Sequence, residues 1–144
     1  MANDEHLARL AQGIEVWNEW RARNPGEKPD LTDAVVIGKS LRGVNLNGAD
    51  LRRAQFAQGA DLRQADLSGA DLSEAHLHEA DLSGANLSGT HLFGADTGAA
   101  SFVATNLRNA ELQTAQLSQA NLTGADLSDA QLNLTRLHGA NLRV

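Results

Sequence analysis

The sequence predicts an all-β solenoid, a right-handed quadrilateral parallel β-helix fronted by an N-terminal α-helical cap. Three observations carry that reading. A leucine recurs every fifth residue through ADLRQADLSGADLSEAHLHEADLSGANLSG, residues 60–89. Alanine stands two places before the leucine, and Asp or Asn usually stands just before it. Aromatic residues make up only 3% of the chain and tyrosine is absent, so the core must be built from something small and uniform.

The first element is helical. Over residues 4–23, Leu7, Leu10, Ala11, Ile14 and Trp17 fall on one helical stripe, with Trp20 at its edge. Asn3 or Asp4 can cap the start, and Asn24-Pro25 ends the helix. The following NPGEKPD reads as a turn-rich linker. Residues 1–30 therefore form a capping helix and linker, and residues 31–144 the β-helix. A β-helix has open apolar cross-sections and strand edges at its ends that need covering. Leu7, Leu10, Ile14, Trp17 and Trp20 are expected to cover the first coil, which gives both tryptophans a structural use.

The second element is the repeat. Its leucine phase runs through Leu41, Leu46, Leu51 and Phe56, then Leu62 to Leu92, then Phe102 to Leu142, with Leu31 and Val36 as weaker early members. A helix cannot use this spacing. At about 100° per residue, five steps leave successive leucines roughly 140° apart around the rod. A straight strand cannot use it either, because an odd period sends successive leucines to opposite faces. The chain must turn once per pentad. Ala and Leu then point inward from a short extended piece, the Asp or Asn between them points out, and the other two residues make the corner. Ser-Gly and Thr-Gly supply corner chemistry, since glycine takes positive φ at little cost. Arg-Gln, Ser-Glu and His-Glu at other corners suggest more than one turn type. Four corners close a coil of 20 residues. Stacked coils pair as parallel strands about 4.8 Å apart, and parallel crossovers are overwhelmingly right-handed. About six coils, near 28 Å in all, are expected.

Three places depart from the pattern. One extra residue falls near Ala57-Gln58-Gly59, and Thr97 takes a leucine position one pentad before Phe102. Each reads either as core compensation or as a bulge that exposes a binding loop. The third is the end, NLRV, which has no polar or helical cap. A chain cut short, a frayed last coil or two abutting chains would each explain it. A symmetric end-to-end homodimer through this coil is the preferred expectation.

The motif A-[D/N]-L-x-x, repeated over roughly residues 31–144, resembles the pentapeptide-repeat family. The resemblance implies a right-handed quadrilateral β-helix. Most members resemble non-catalytic interaction or scaffold proteins. Others are acidic rods that occupy the DNA site of DNA gyrase, as in quinolone-resistance and topoisomerase-inhibitor proteins.

Little catalytic chemistry is legible. The net charge of −6 argues against direct binding of nucleic acid or an anionic membrane. Without cysteine there is no disulfide framework and no thiolate metal site. The N-terminus has acids where a signal peptide has bases, and no apolar run approaches a membrane span. A cytoplasmic, bacterial protein is expected. His6, His76, His78, His91 and His138 offer no three-ligand spacing. Carboxylate pairs abound, but on a convex prism they stay hydrated, and a solid Ala/Leu interior leaves no pocket. The serines lack a base and an orienting acid. The chain is read as having no enzyme activity, no cofactor and no metal.

What remains is surface. One wall should carry Asp30, Asp50, Asp71, His91, Glu111 and Gln131 in its central column, with Asp33 and Glu74 nearby and Arg52 and Arg53 interrupting it. Phe93 and Leu134 occupy corner positions of the same wall where polar residues are usual. Asp50, Asp71, Glu74, His91, Phe93, Glu111 and Leu134 are therefore the expected contact surface for an unidentified protein partner. The runner-up function is an acidic DNA mimic that binds a type II topoisomerase. It fits less well, because the charge is modest and several outward columns carry Ser, Asn, Gln and Arg.

Overall fold

The computed structural model describes residues 1–36, 40–56 and 59–143. Two short helices come first, α1 (Asp4–Ala11) and α2 (Ile14–Arg23). The single helix expected over 4–23 is thus broken at Gln12-Gly13. Gly13 has φ 122°, outside any helix, and its carbonyl accepts the Trp17 N–H that opens α2. Asn3 caps α1, its side chain accepting from the backbone N–H groups of Glu5 and His6 at 2.9 and 3.3 Å. The second helix ends at Arg23, before Asn24-Pro25.

The break lets each helix bury its own contact. Leu10 and Trp17 are buried in the main core, and Leu7, Ile14 and Trp20 pack against it half-buried. Trp17 Nε1 donates to the Asn45 carbonyl at 2.7 Å, and Asn18 donates to the Gly43 carbonyl at 3.0 Å. Arg21, itself buried, donates to the carbonyls of Glu27 and Asn47. Its burial lowers the guanidinium pKa. His6 Nδ1 accepts the Asp30 N–H at 3.0 Å, so its Nε2 carries the proton shared with Glu27 at 3.2 Å. Side chains of the helices thereby satisfy carbonyls and N–H groups at the start of the repeat.

The rest of the described chain is a solenoid held by single-residue parallel bridges. Asp61 pairs with Asp81, Asp66 with Asn86, Asp71 with His91 and His76 with Asp96. The next member of each column lies 20 residues on, so one coil has four walls. Across the extra residue near 57–59 the step becomes 21, as from Asp50 to Asp71. The columns continue on both sides of it. Ala57 and Gln58, where two readings were open, lie outside the described residues.

Among the described residues every corner is built the same way, contrary to the expectation of several turn types. In the pentad at Leu62, the Ala65 N–H returns to the Leu62 carbonyl at 3.1 Å and the third turn residue, Gln64, has φ 58°. Positive φ at that place marks a type II turn. Glycine supplies it at Gly69 and Gly84, but Glu74, Glu79, Thr114 and Leu134 adopt it as well. The coil-to-coil ladder over-determines the corner: the Glu74 N–H, for example, donates to the Phe93 carbonyl at 2.8 Å. The turn geometry therefore outweighs the side chain's own preference.

Ala and Leu fill the interior as expected. Ala49, Leu51, Ala60, Leu62, Leu72 and Leu92 are each 0% exposed. Leu72 donates to the carbonyl of His91, the residue before Leu92, so the two leucines are neighbours on adjacent coils. Thr97 and Phe102 are fully buried in leucine positions, and their backbone bonds hold register at 2.9 and 2.7 Å. There is no bulge or exposed loop here. Thr90 and Thr105 take alanine positions, and each hydroxyl donates to a buried carbonyl. Towards the C-terminus the interior opens to solvent: Leu132 is 37% and Leu142 51% exposed.

Candidate functional site: an acidic wall and its corner groove

The first wall is the column Asp30, Asp50, Asp71, His91, Glu111 and Gln131. Its outward side chains are less available than their charge suggests, because each Asp or Asn works inside its own turn. Asp71 Oδ1 accepts the Ser73 N–H at 3.0 Å, and Asp61, Asp66, Asp81 and Asp126 accept the N–H two residues on in the same way. These are Asx turns, which steady the corner beside each carboxylate. The sequence signal was present in Asp or Asn two places before a corner Ser, Thr or Arg. Treating these carboxylates as merely hydrated overlooks that role.

Arginines neutralise the start of the wall. Arg52 grips Asp50 with two bonds of 2.8 and 2.7 Å and reaches Asp71 at 3.9 Å. Arg53 holds Asp33 through bonds of 2.8 and 3.0 Å. Hydrogen bonds from these arginines are the main reason the Asp50 and Asp33 carboxyls lie below the usual range. Arg63 does the same to Asp61 on another wall. Further along, His91 Nδ1 stands 3.6 Å from Glu111.

Of the expected contact residues, Asp50, Asp71, His91 and Glu111 share the central column. Glu74, Phe93 and Leu134 lie on the corner that follows it. Phe93 is 53% exposed and Leu134 is 83% exposed. Phe93 and Glu74 sit on adjacent coils, joined by a backbone bond. Leu134 lies further along, where the interior opens, so it is apart from the other two.

A solid Ala/Leu interior is expected from the sequence to leave no pocket. A groove of about 520 Å³ nonetheless runs along the outside of this corner. Arg53, Glu74, His76, Gly94, Asp96 and Gln116 line it, so it joins the first wall to the second. Its cause is Gly94, where a side chain is missing between Glu74 and Thr114. A Cβ there would lie 3.8 Å from each of the Glu74 Cγ and Thr114 Oγ1 atoms. Among the described residues no three His, Asp or Glu side chains converge to hold a metal ion. No helix among them is long and apolar enough to cross a membrane.

The family described as pentapeptide repeats matches residues 30–58, 58–94 and 100–139, in 8 copies. The chain is similar to the crystal structure of a pentapeptide repeat protein from the Arabidopsis thaliana thylakoid lumen, with 33% identity and a TM-score of 0.53. That likeness covers 54% of this chain and 54% of the other, so the chain spans about half the length of that relative. It is also similar to Rfr23, a pentapeptide repeat protein from the cyanobacterium Cyanothece 51142, with 28% identity and a TM-score of 0.58 over 86% of this chain and 92% of that one. No curated protein sequence matches at a significant level.

Proposed function

The chain belongs to the pentapeptide-repeat family, and from that premise we propose that it is a non-catalytic interaction module. It presents the first wall and its corner, Asp50, Asp71, Glu74, His91, Phe93, Glu111 and Leu134, to a protein partner. The observation that carries this reading is Phe93, a ring left 53% exposed at a corner position beside an acidic column. A large ring on a rigid backbone contributes contact area with little loss of conformational freedom on binding. The interior is filled by Ala and Leu, which leaves the walls as the place for recognition.

The finer architecture belongs to the same proposal. The protein is a rod of about six coils, following the six members of the first-wall column. The helix pair closes one end through Leu7, Leu10, Ile14, Trp17 and Trp20. A second copy of the chain covers the opposite end, where Leu132 and Leu142 are exposed. Bound nucleic acid and membrane have no part in this reading.

The DNA-mimic reading is the weaker one. A mimic needs free carboxylates at regular spacing, whereas Asp33, Asp50, Asp61 and Asp126 are each engaged by an arginine. A supercoiling assay with DNA gyrase, with and without a quinolone, tests it; inhibition or protection at micromolar protein would revive it. The interaction reading is tested by recovering partners on immobilised wild type, Phe93→Ala and Asp71→Ala. A partner held by wild type and lost from the variants is the expected result. Equal recovery from all three sinks this choice of wall.

A further inference from the structure

We propose that the corner groove at Gly94 seats an arginine or lysine side chain from an extended segment of the partner, with an adjoining apolar residue against Phe93. This rests on the reading of the first wall as an interaction surface and names the chemistry it selects.

Shape is the first argument. The described members of this corner column are Asp33, Arg53, Glu74, Gly94, Thr114 and Leu134, and only Gly94 lacks a side chain. The notch is therefore bounded by Glu74 on the coil before Gly94 and Thr114 on the coil after it. Its floor is stiff. The Gly94 N–H donates to the Gln113 carbonyl at 3.2 Å and the Asp96 N–H to the Ala75 carbonyl at 2.9 Å. A groove of about 520 Å³ is roomy enough for one long side chain and the backbone on either side of it.

Charge selects the occupant. The lining holds Asp33, Glu74 and Asp96 against one guanidinium, Arg53. Arg53 is already committed to Asp33 by two hydrogen bonds and feels Glu74 only through space. Glu74 and Asp96 also line the notch and leave it with excess negative charge, although Asp96 accepts the Gly98 N–H at 3.2 Å and has His78 Nδ1 at 3.8 Å. They do not converge with a third ligand, so a metal ion is a poor fit. A guanidinium or ammonium on a flexible stem can span separated carboxylates and also donate to the Gln116 amide oxygen. Beside the notch, the exposed Phe93 ring offers an apolar face and a cation–π partner.

The test uses three blocked dipeptides titrated into the isotope-labelled full chain: acetyl-Leu-Arg-amide, acetyl-Leu-Lys-amide and acetyl-Leu-citrulline-amide. Citrulline keeps the shape of arginine without its charge. Saturable amide shifts at residues 74, 93–96 and 116 are expected from the Arg and Lys probes, with citrulline about tenfold weaker. Glu74→Gln with Asp96→Asn should abolish the preference; Asn suits the Asx turn, as Asn86 and Asn106 show. Gly94→Gln should block the notch while keeping the fold, because Gln64 adopts the same φ at another corner. Shifts spread over the whole acidic wall, equal binding of citrulline, or binding unchanged in both variants would overturn the proposal. Partner recovery separates the two readings. Loss from Phe93→Ala with full recovery by Gly94→Gln refutes the groove and keeps the wall; full recovery by both refutes both.

Discussion

Trp17 offers a direct measure of what the helix pair does for the repeat. Its ring is 0% exposed, its Nε1 donates to the Asn45 carbonyl at 2.7 Å, and it lies 5.0 Å from the Trp20 ring. Trp17→Phe keeps most of the apolar contact and strands the carbonyl, at a cost of about 1–3 kcal/mol. Trp17→Ala also empties the ring's volume, at a cost of about 3–5 kcal/mol. In a solenoid each coil leans on its neighbours, so the loss should be concentrated at the nearest coils. Hydrogen exchange reads this position by position. In Trp17→Ala the amides of Leu31, Ala34 and Leu46 should exchange roughly 100- to 4,000-fold faster. Those of Leu107, Ala110 and Leu117, deeper in the rod, should change little. Trp17→Phe should show the same pattern at smaller amplitude. Equal acceleration along the whole rod, or no difference between the variants, would refute the view of the helices as a local lid.

Three other outcomes follow from the same geometry. Thr114 is β-branched at φ 61°, so Thr114→Gly should relieve about 1 kcal/mol of strain and raise the melting temperature by a few degrees; a lower melting temperature would show that its side-chain contacts matter more. Arginine hydrogen bonds hold Asp33, Asp50 and Asp61 below the ordinary carboxylate range; their stabilisation is complete above the unfolded value near pH 4 and is lost as pH falls toward the folded values. Thermal melts should thus be flat from about pH 7 to 5 and decline below about pH 4, with a shallower decline in Asp61→Asn. If the open coil pairs with a second copy, light scattering should give a dimer for the wild type and a monomer for Leu132→Glu with Leu142→Glu; a monomeric wild type at high micromolar concentration removes that arrangement.

The fold was legible because one physical constraint recurs. A five-residue apolar period fits neither a helix nor a strand, so it dictates a corner per pentad and places Leu72 beside Leu92. The helix break at Gly13 was harder to see, because the stripe from Leu7 to Trp17 reads as continuous and glycine at one position does not by itself end a helix. Corner uniformity was hidden for a different reason. Glu74 and Thr114 have little preference for positive φ, and only the ladder between coils imposes it. At the candidate site, the column from Asp30 to Gln131 could be written down from residue counting alone. The groove could not, since it depends on which of many corner glycines lies between bulky neighbours on the coils above and below. The pairing of Arg52 with Asp50 was also out of reach, because side-chain direction decides it.

The step of 21 where a column crosses the extra residue, as from Asp50 to Asp71, against 20 on either side, has a bearing on how such rods can change length. A lone surplus residue is taken up at one place and leaves every later residue on its own face. A surplus of five would be another matter: it would rotate everything downstream by a quarter turn and carry His91 and Phe93 away from Asp50. Only gains or losses of a full circuit lengthen the rod and preserve what each side displays. Relatives that share a surface should therefore differ in length by whole circuits, whatever residues fill them.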